Sequence, residues 1–332
     1  MGSSSANELA AEADVILAVG TRLQDFTTGS WTLFADDARF IGLNAARWDA
    51  HKHRAAPVVG DAKVGLAEIS HGLGEWAAPK SWTEQAKRLY ARWNEYVDQR
   101  SGPTNAELPT YAHVVGAVNR LAGERDLALT AAGGMPGELE MNWKAKGIAT
   151  FDCEFGFSCM GYEIAGGWGA KMADPSREVF VMVGDGSYLL MNSDIYSSVL
   201  TGMKLIVVVC DNGGFLVIDR LQRAKGIPSF NNSIETCRTA VPPFRVDFAR
   251  HAEAMGAVGI RVGSMGELDE AIKRAQAADR TTVIHVDVHP TDWSGNDNSW
   301  WECGTPEVSE RDTVAKARKE HVAGKKRQRL GV

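Results

Sequence analysis

Val179-Phe-Val-Met-Val183 running into Gly184-Asp185-Gly186, and Leu205-Ile-Val-Val-Val-Cys210 running into Asp211-Asn212-Gly213-Gly214, decide the fold of this 332-residue chain. Short apolar runs rich in β-branched residues read as strands buried on both faces, as in a parallel sheet. Ser187 to Thr201, between the two runs, is long enough for a crossover helix, and Gly202 suits its C-terminal end. Asp185 and Asn212 are therefore expected at the carboxyl ends of neighbouring parallel strands, the edge where open α/β sheets bind ligands.

The chemistry such an edge suits is magnesium diphosphate binding. Mg²⁺ takes six oxygens in near-octahedral array and draws only one or two from side chains, the rest from phosphate and water. Asp185 offers a charged oxygen, Asn212 a neutral amide oxygen and Gly214 its backbone carbonyl. Gly184 and Gly186 let backbone approach a ligand closely. A helix starting near Ser187 would turn free N–H groups and its positive end toward phosphate. Either cluster alone is weak; the pair, each preceded by a strand, is specific.

This arrangement resembles the cofactor signature of the thiamine-diphosphate (ThDP) enzymes, GDG followed some two dozen residues later by paired asparagines. Asp211 replaces the first asparagine here, while Asn212, at the metal position, is kept. Phe157-Ser-Cys-Met-Gly-Tyr-Glu-Ile-Ala-Gly-Gly-Trp-Gly-Ala170 is similar to the segment that props the cofactor into its bent form. The resemblance puts Met160 in the propping position and the Ser158 carbonyl against the aminopyrimidine. Ala132-Gly133-Gly134-Met135 matches the loop near the diphosphate, so Gly133, Gly134 and Met135 join Gly184, Gly186 and Ser187 as expected cofactor neighbours. Within the family, Thr21 to Trp31, Phe151 to Tyr162 and Asn192 to Ser198 look like the 3D-(3,5/4)-trihydroxycyclohexane-1,2-dione hydrolases of inositol breakdown. The likeness runs nearly end to end over this chain and covers about the last half of that family's length, which implies a chain that has lost its beginning.

Composition sets the bounds. A chain of this length holds one large domain and part of another. At 44% apolar and 23% charged it is an ordinary globular composition. A net charge of −6 argues against broad nucleic-acid binding. Five cysteines without a CxxC pair fit a reducing cytoplasm. No stretch approaches the roughly 18 apolar residues of a membrane span, and the Ser-rich start lacks the basic and apolar segments of a signal peptide.

The expected fold is α/β: a ThDP-binding fold, a parallel sheet flanked by helices, preceded by half of a Rossmann-like central domain. Residues 1–75 alternate helix and strand, with strands at Val15 to Val19, Phe40 to Leu43 and Val58-Val59. Residues 76–110 read as an interdomain linker with a helical stretch around Glu84 to Asp98 and a breaker at Gly102-Pro103. Residues 111–290 form the diphosphate-binding domain, with strands near Leu127 to Thr130, Val179 to Val183, Leu205 to Cys210 and Val283 to Val288. Residues 291–332 read as a tail, irregular and then charged, with Lys325 to Arg329 a solvated basic end.

Other chemistry-bearing residues read more plainly. Glu154 and Glu163 flank the cofactor segment, as surface or ion-paired carboxylates or as binders of substrate hydroxyls. His51 with His53, and His285 with His289, lack a third metal ligand nearby in sequence. No cysteine has a histidine in a recognisable motif, so a thiol nucleophile is not expected.

The resemblance implies ThDP- and Mg²⁺-dependent hydrolysis of a C–C bond in a cyclic 1,2-dione, opening the ring to 5-deoxyglucuronate. It also implies that the glutamate activating the cofactor comes from a separate pyrimidine-binding domain on a neighbouring subunit. Nothing in residues 1–75 looks like that domain, so the chain is expected to be truncated or split and inactive alone, working as a homo-oligomer or with a partner chain. The alternatives are another ThDP carboligase or decarboxylase of the acetolactate synthase type, or a non-catalytic cofactor-binding subunit. A NAD-dependent Rossmann enzyme is disfavoured, because no GxGxxG follows a strand.

Overall fold

The computed structural model of the chain describes residues 2–238, 241–242, 244–295 and 299–329. The outermost ends of the ranges 1–75 and 291–332 lie outside the described residues. Two compact units emerge: residues 1–96 with 295–332, and residues 97–294.

The first unit holds three parallel strands, β1 (Val15–Val19), β2 (Arg39–Asn44) and β3 (Ala56–Val59), in that order, with Ile16 opposite Phe40 and Leu43 opposite Val58. Helix Ser4–Ala11 precedes β1 and is capped by Ser3, whose hydroxyl accepts from the Ala6 amide. Helix Ala62–Leu73 follows β3, capped in the same way by Asp61 through the Val64 amide. The core is small: Ala18, Leu23, Ala38, Phe40 and Ala55, with Trp31 and Phe34 packed on it. Val15 and Leu17 stay 40% exposed.

The tail is more ordered than its composition promised. Helix Asp312–Lys325 forms within it, and Glu302 accepts from the Gln328 amide at 2.7 Å. The basic run divides. Lys325, Lys326 and Arg327 are exposed. Arg329 instead lays its guanidinium 4.8 Å over the Phe40 ring and donates to the Ala38 carbonyl at 2.7 Å. A long side chain can bury its stem and rest its planar head on a ring, which a count of charges does not reveal.

Residues 80–100, inside the stretch read as a linker, form one helix, Lys80–Arg100. The second unit is a six-stranded parallel sheet of β4 (Leu127–Thr130), β5 (Phe151–Cys153), β6 (Val179–Gly184), β7 (Ile206–Asp211), β8 (Val258–Val262) and β9 (Thr282–Asp287), in the order β5-β4-β6-β7-β9-β8. Successive side chains alternate between two apolar layers. Phe180, Met182, Ile206 and Val208 pack with helices Tyr111–Leu121 and Met265–Ala277. Val179, Val181, Val183, Val207 and Val209 pack on the other face, with Ile164, Tyr188, Ile195 and Phe248 from its helices. β5 and β8 carry little sequence signal, being three residues long and interrupted by Gly259 respectively.

The crossover from β6 to β7 is two helices, Asp185–Leu190 and Ser193–Leu200, and the first begins two residues earlier than Ser187. The break falls at Met191 and Asn192. The Asn192 side chain donates to the Leu189 carbonyl at 3.2 Å, a local bond that competes with the helical ladder.

Candidate cofactor site

Four strand ends deliver their following segments to one edge of the second sheet: residues 131–134 after β4, 154–161 after β5, 185–187 after β6 and 212–214 after β7. β6 pairs with β7 with Gly184 opposite Cys210, so the two glycine clusters leave the sheet side by side.

Asp185 is buried and its Oδ2 accepts from the Gly214 amide at 2.7 Å, a direct tie between the clusters. Burial, then the neighbouring Asp211 carboxylate, push the Asp185 carboxyl up to about 7. Asn212 donates its Nδ2 to the Tyr111 hydroxyl at 2.8 Å. Its Oδ1 is buried with no hydrogen-bond partner. An orphaned amide oxygen is costly to bury, and a cation would relieve that cost and the crowding of the two carboxylates together. Gly214 sits at φ 139 and Gly213 at φ 83, conformations that suit glycine. The residues present therefore fit Mg²⁺.

Tyr111 was not singled out in the sequence, because a Tyr at the start of an apolar helix reads as core. It is fully buried and orients Asn212. Trp293 stacks on it with centroids 5.2 Å apart, and the same indole packs where a Cβ on Gly134 would fall. Gly134 is thus required for close packing. Gly133 has φ 82, and a Cβ there would meet nothing within 4 Å. Met135 points into the core, so any role toward a ligand belongs to its backbone. Gly186 faces two apolar groups: a Cβ on it would stand 2.6 Å from the Phe215 ring and 3.5 Å from Met160 Cε. Met160 and the GDG cluster are therefore adjacent. Ser158 is exposed, at φ 54, in a loop pinned by Glu154. The Glu154 carboxylate accepts from the Phe157 amide at 2.9 Å and the Cys159 amide at 2.8 Å, and those bonds hold it below the usual carboxylate range. Glu163, read as a surface or ion-paired carboxylate or a hydroxyl binder, is fully buried on backbone amides.

Asp211, beside Asp185, is also held by cationic and donor groups. Burial opposes its charge, but His285, Arg245 and the Gly213 amide outweigh burial and hold it low. Arg245 donates to its Oδ1 at 3.0 Å. His285 is fully buried, 3.4 Å from Asp211 and 3.6 Å from Asp287, and Arg261 pairs with Asp287 at 2.8 Å. Among the described residues this is the one trio of metal-ligating type. With a guanidinium already on each carboxylate, it is an ion network. His289 is apart from it, accepting from the Thr291 and Asp292 amides at a turn. His51 and His53 lie in the first unit.

Comparison with known proteins places both units among the thiamine pyrophosphate enzymes. Residues 132–286 match the thiamine pyrophosphate enzyme C-terminal TPP binding domain, and residues 1–69 match the central domain of the same enzymes. A 3D-(3,5/4)-trihydroxycyclohexane-1,2-dione hydrolase of Geobacillus thermodenitrificans is 35% identical over 95% of this chain and 53% of its own length. A second protein of that name from Bacillus cereus strain ZK / E33L is 34% identical over 99% of this chain and 56% of its own. The chain spans about half the length of the curated relatives it matches. Among the described residues, no helix is long and apolar enough to cross a membrane.

Proposed function

Since the chain belongs to the thiamine pyrophosphate enzymes, with their central and C-terminal domains both present, we propose that it holds ThDP through Mg²⁺ at the edge formed by β4, β6 and β7 and serves hydrolysis of a C–C bond in a trihydroxycyclohexane-1,2-dione, with 5-deoxyglucuronate as product. The observation that carries the cofactor reading is the partnerless, buried Asn212 Oδ1 beside Asp185.

Asp185, Asn212 and the Gly214 carbonyl would hold the metal, and the backbone of Gly133, Gly134 and Gly186 would border the diphosphate. When bound, ThDP supplies a carbon nucleophile that attacks carbonyl carbons. Tyr111, by accepting from the Asn212 Nδ2, would leave the amide oxygen free for the cation. Met160, beside Gly186, would supply an apolar wall, and the Ser158 carbonyl would meet the aminopyrimidine, as the resemblance implies. The names of the relatives support the cyclic-dione substrate. The activating glutamate would come from another chain or copy. Leu189, Leu190, Met191 and Phe215, next to the site and 43–55% exposed, support such a covering partner.

A calorimetric titration of the chain with ThDP, with and without Mg²⁺, tests the cofactor half. Binding that needs the metal is expected, with a loss of at least about 100-fold in Asp185→Ala, as befits removing a charged ligand. Metal-independent binding, or none by a folded chain, would overturn it. For the substrate half, acid release from the cyclic dione after adding a pyrimidine-domain partner is expected; acetolactate from pyruvate would instead favour a carboligase.

A further inference from the structure

Glu163 is a carboxylate with no solvent exposure and, among the described residues, no cation paired with it. Its Oε1 accepts from the Ala132 amide at 3.1 Å, in the segment after β4. Its Oε2 accepts from the Gly161 amide at 2.8 Å, next to Met160. The Ser187 hydroxyl, in the first helix after β6 and also buried, lies near it and favours its charged form. Three of the four segments at the candidate site therefore converge on one side chain, though they are far apart in sequence. Every group meeting it is a donor, which suits the two-oxygen, acceptor-only form of a carboxylate. Burial pushes its carboxyl up, against these bonds. A buried carboxylate is retained at such a cost only where its donors need it.

We infer that Glu163 is a positioning residue: it fixes the spacing between the Gly133-Gly134 loop, Met160 and the Gly186-Ser187 turn, and so sets the shape into which the cofactor fits. Three consequences follow. The Ser187 side chain, buried beside Glu163, is directed inward. The Ala132 and Gly161 amides are likewise committed to the carboxylate. Cofactor contact in these segments then falls to the backbone of Gly133, Gly134 and Gly186, of which Gly133 has open space where a side chain would stand.

This inference rests on the proposed cofactor site, and the test separates the two. Hydrogen-exchange mass spectrometry on the full chain without cofactor compares the wild type with Glu163→Gln. The isosteric amide preserves packing but replaces one acceptor oxygen with a donor. Exchange should rise at least about 10-fold, together, in peptides covering 131–134, 158–161 and 185–190, while β7 and β9 stay unchanged. A rise confined to residues beside 163, or none, would overturn the inference whether or not ThDP binds. Where the wild type binds ThDP–Mg²⁺, Glu163→Gln should weaken binding about 10-fold or more with cooperative unfolding kept. Unchanged affinity would reduce Glu163 to filling space and overturn its positioning role. Failure of the wild type to bind counts against the proposed function, and exchange then decides on Glu163. If Glu163→Gln does not fold, Ser187→Ala, which removes the hydroxyl beside the carboxylate, should loosen 158–161 as well as 185–190, and loosening of 185–190 alone would overturn the inference.

Discussion

Sheets β1–β3 and β4–β9 are both wholly parallel and both open from short β-branched runs, yet they differ in what covers them. In the second, Val179 to Val183 and Ile206 to Cys210 are all at most 1% exposed, each residue meeting a helix layer on its own face. In the first, Ala18 and Phe40 face a small core while Val15, Leu17 and Val59 remain 40–49% exposed. The candidate site lies on the sheet whose faces are both closed. A ligand edge depends on backbone fixed to within fractions of an ångström, which two packed layers supply and one small core does not.

The sharpest test of this contrast is paired truncation. Phe180→Ala removes a fully buried ring from β6 and should cost about 3–5 kcal/mol. Leu17→Ala, in β1, should cost under about 1 kcal/mol, since much of its side chain is in water already. Hydrogen exchange read separately on β6 and β1 peptides gives both values. Comparable losses at the two positions would erase the distinction.

The sequence made the closed sheet legible for the same reason that it is stable. Strands buried on both faces are continuous apolar runs, so β4, β6, β7 and β9 stand out, and Asp185 and Asn212 follow from where those runs stop. β5 and β8 did not, because three residues, or five with Gly259 packed on the Ala249 carbonyl, carry no periodicity. The ligand candidates at 185, 212 and 214 were readable as oxygen donors. Their supports were not: Tyr111, Trp293 and Glu163 act through contacts made across 101, 159 and 31 residues (Tyr111–Asn212, Gly134–Trp293, Ala132–Glu163). Residue type alone does not distinguish a Tyr that orients an amide from one that fills a core.

A middle-sized effect is expected in the open unit. Arg329→Ala removes the bond to the Ala38 carbonyl and the guanidinium over Phe40. Loss of a hydrogen bond made by a charged group, together with a cation–π contact, should cost about 1–3 kcal/mol. The loss should appear as faster exchange in β2 with β6 unaffected. If both sheets loosened equally, the two units would be one cooperative body, and the contrast drawn from their coverage would fail.

The smallest effect is one of pH, and it also separates the units. His53 stacks on Trp31 with its Nδ1 buried and unpartnered. Burial first, then the charges of Arg329 and Lys52, lower its pKa from 6.5 to about 4. The unfolded chain therefore takes up a proton near 6.5 that the folded unit accepts only near 4. Stability from a neutral His53 is fully present above 6.5, falls as the pH drops through that window, and has gone below 4. Because the ring is partly exposed, the fall should be modest. Exchange in β1–β3 measured at pH 7 and pH 5 should show it, and His53→Gln should flatten it. Arg329→Ala should narrow the window from its acid end, since removing that cation brings the folded pKa back toward 6.5. A pH response unchanged by Arg329→Ala would mean that the tail's charge is not felt at His53, and that burial alone keeps the ring neutral.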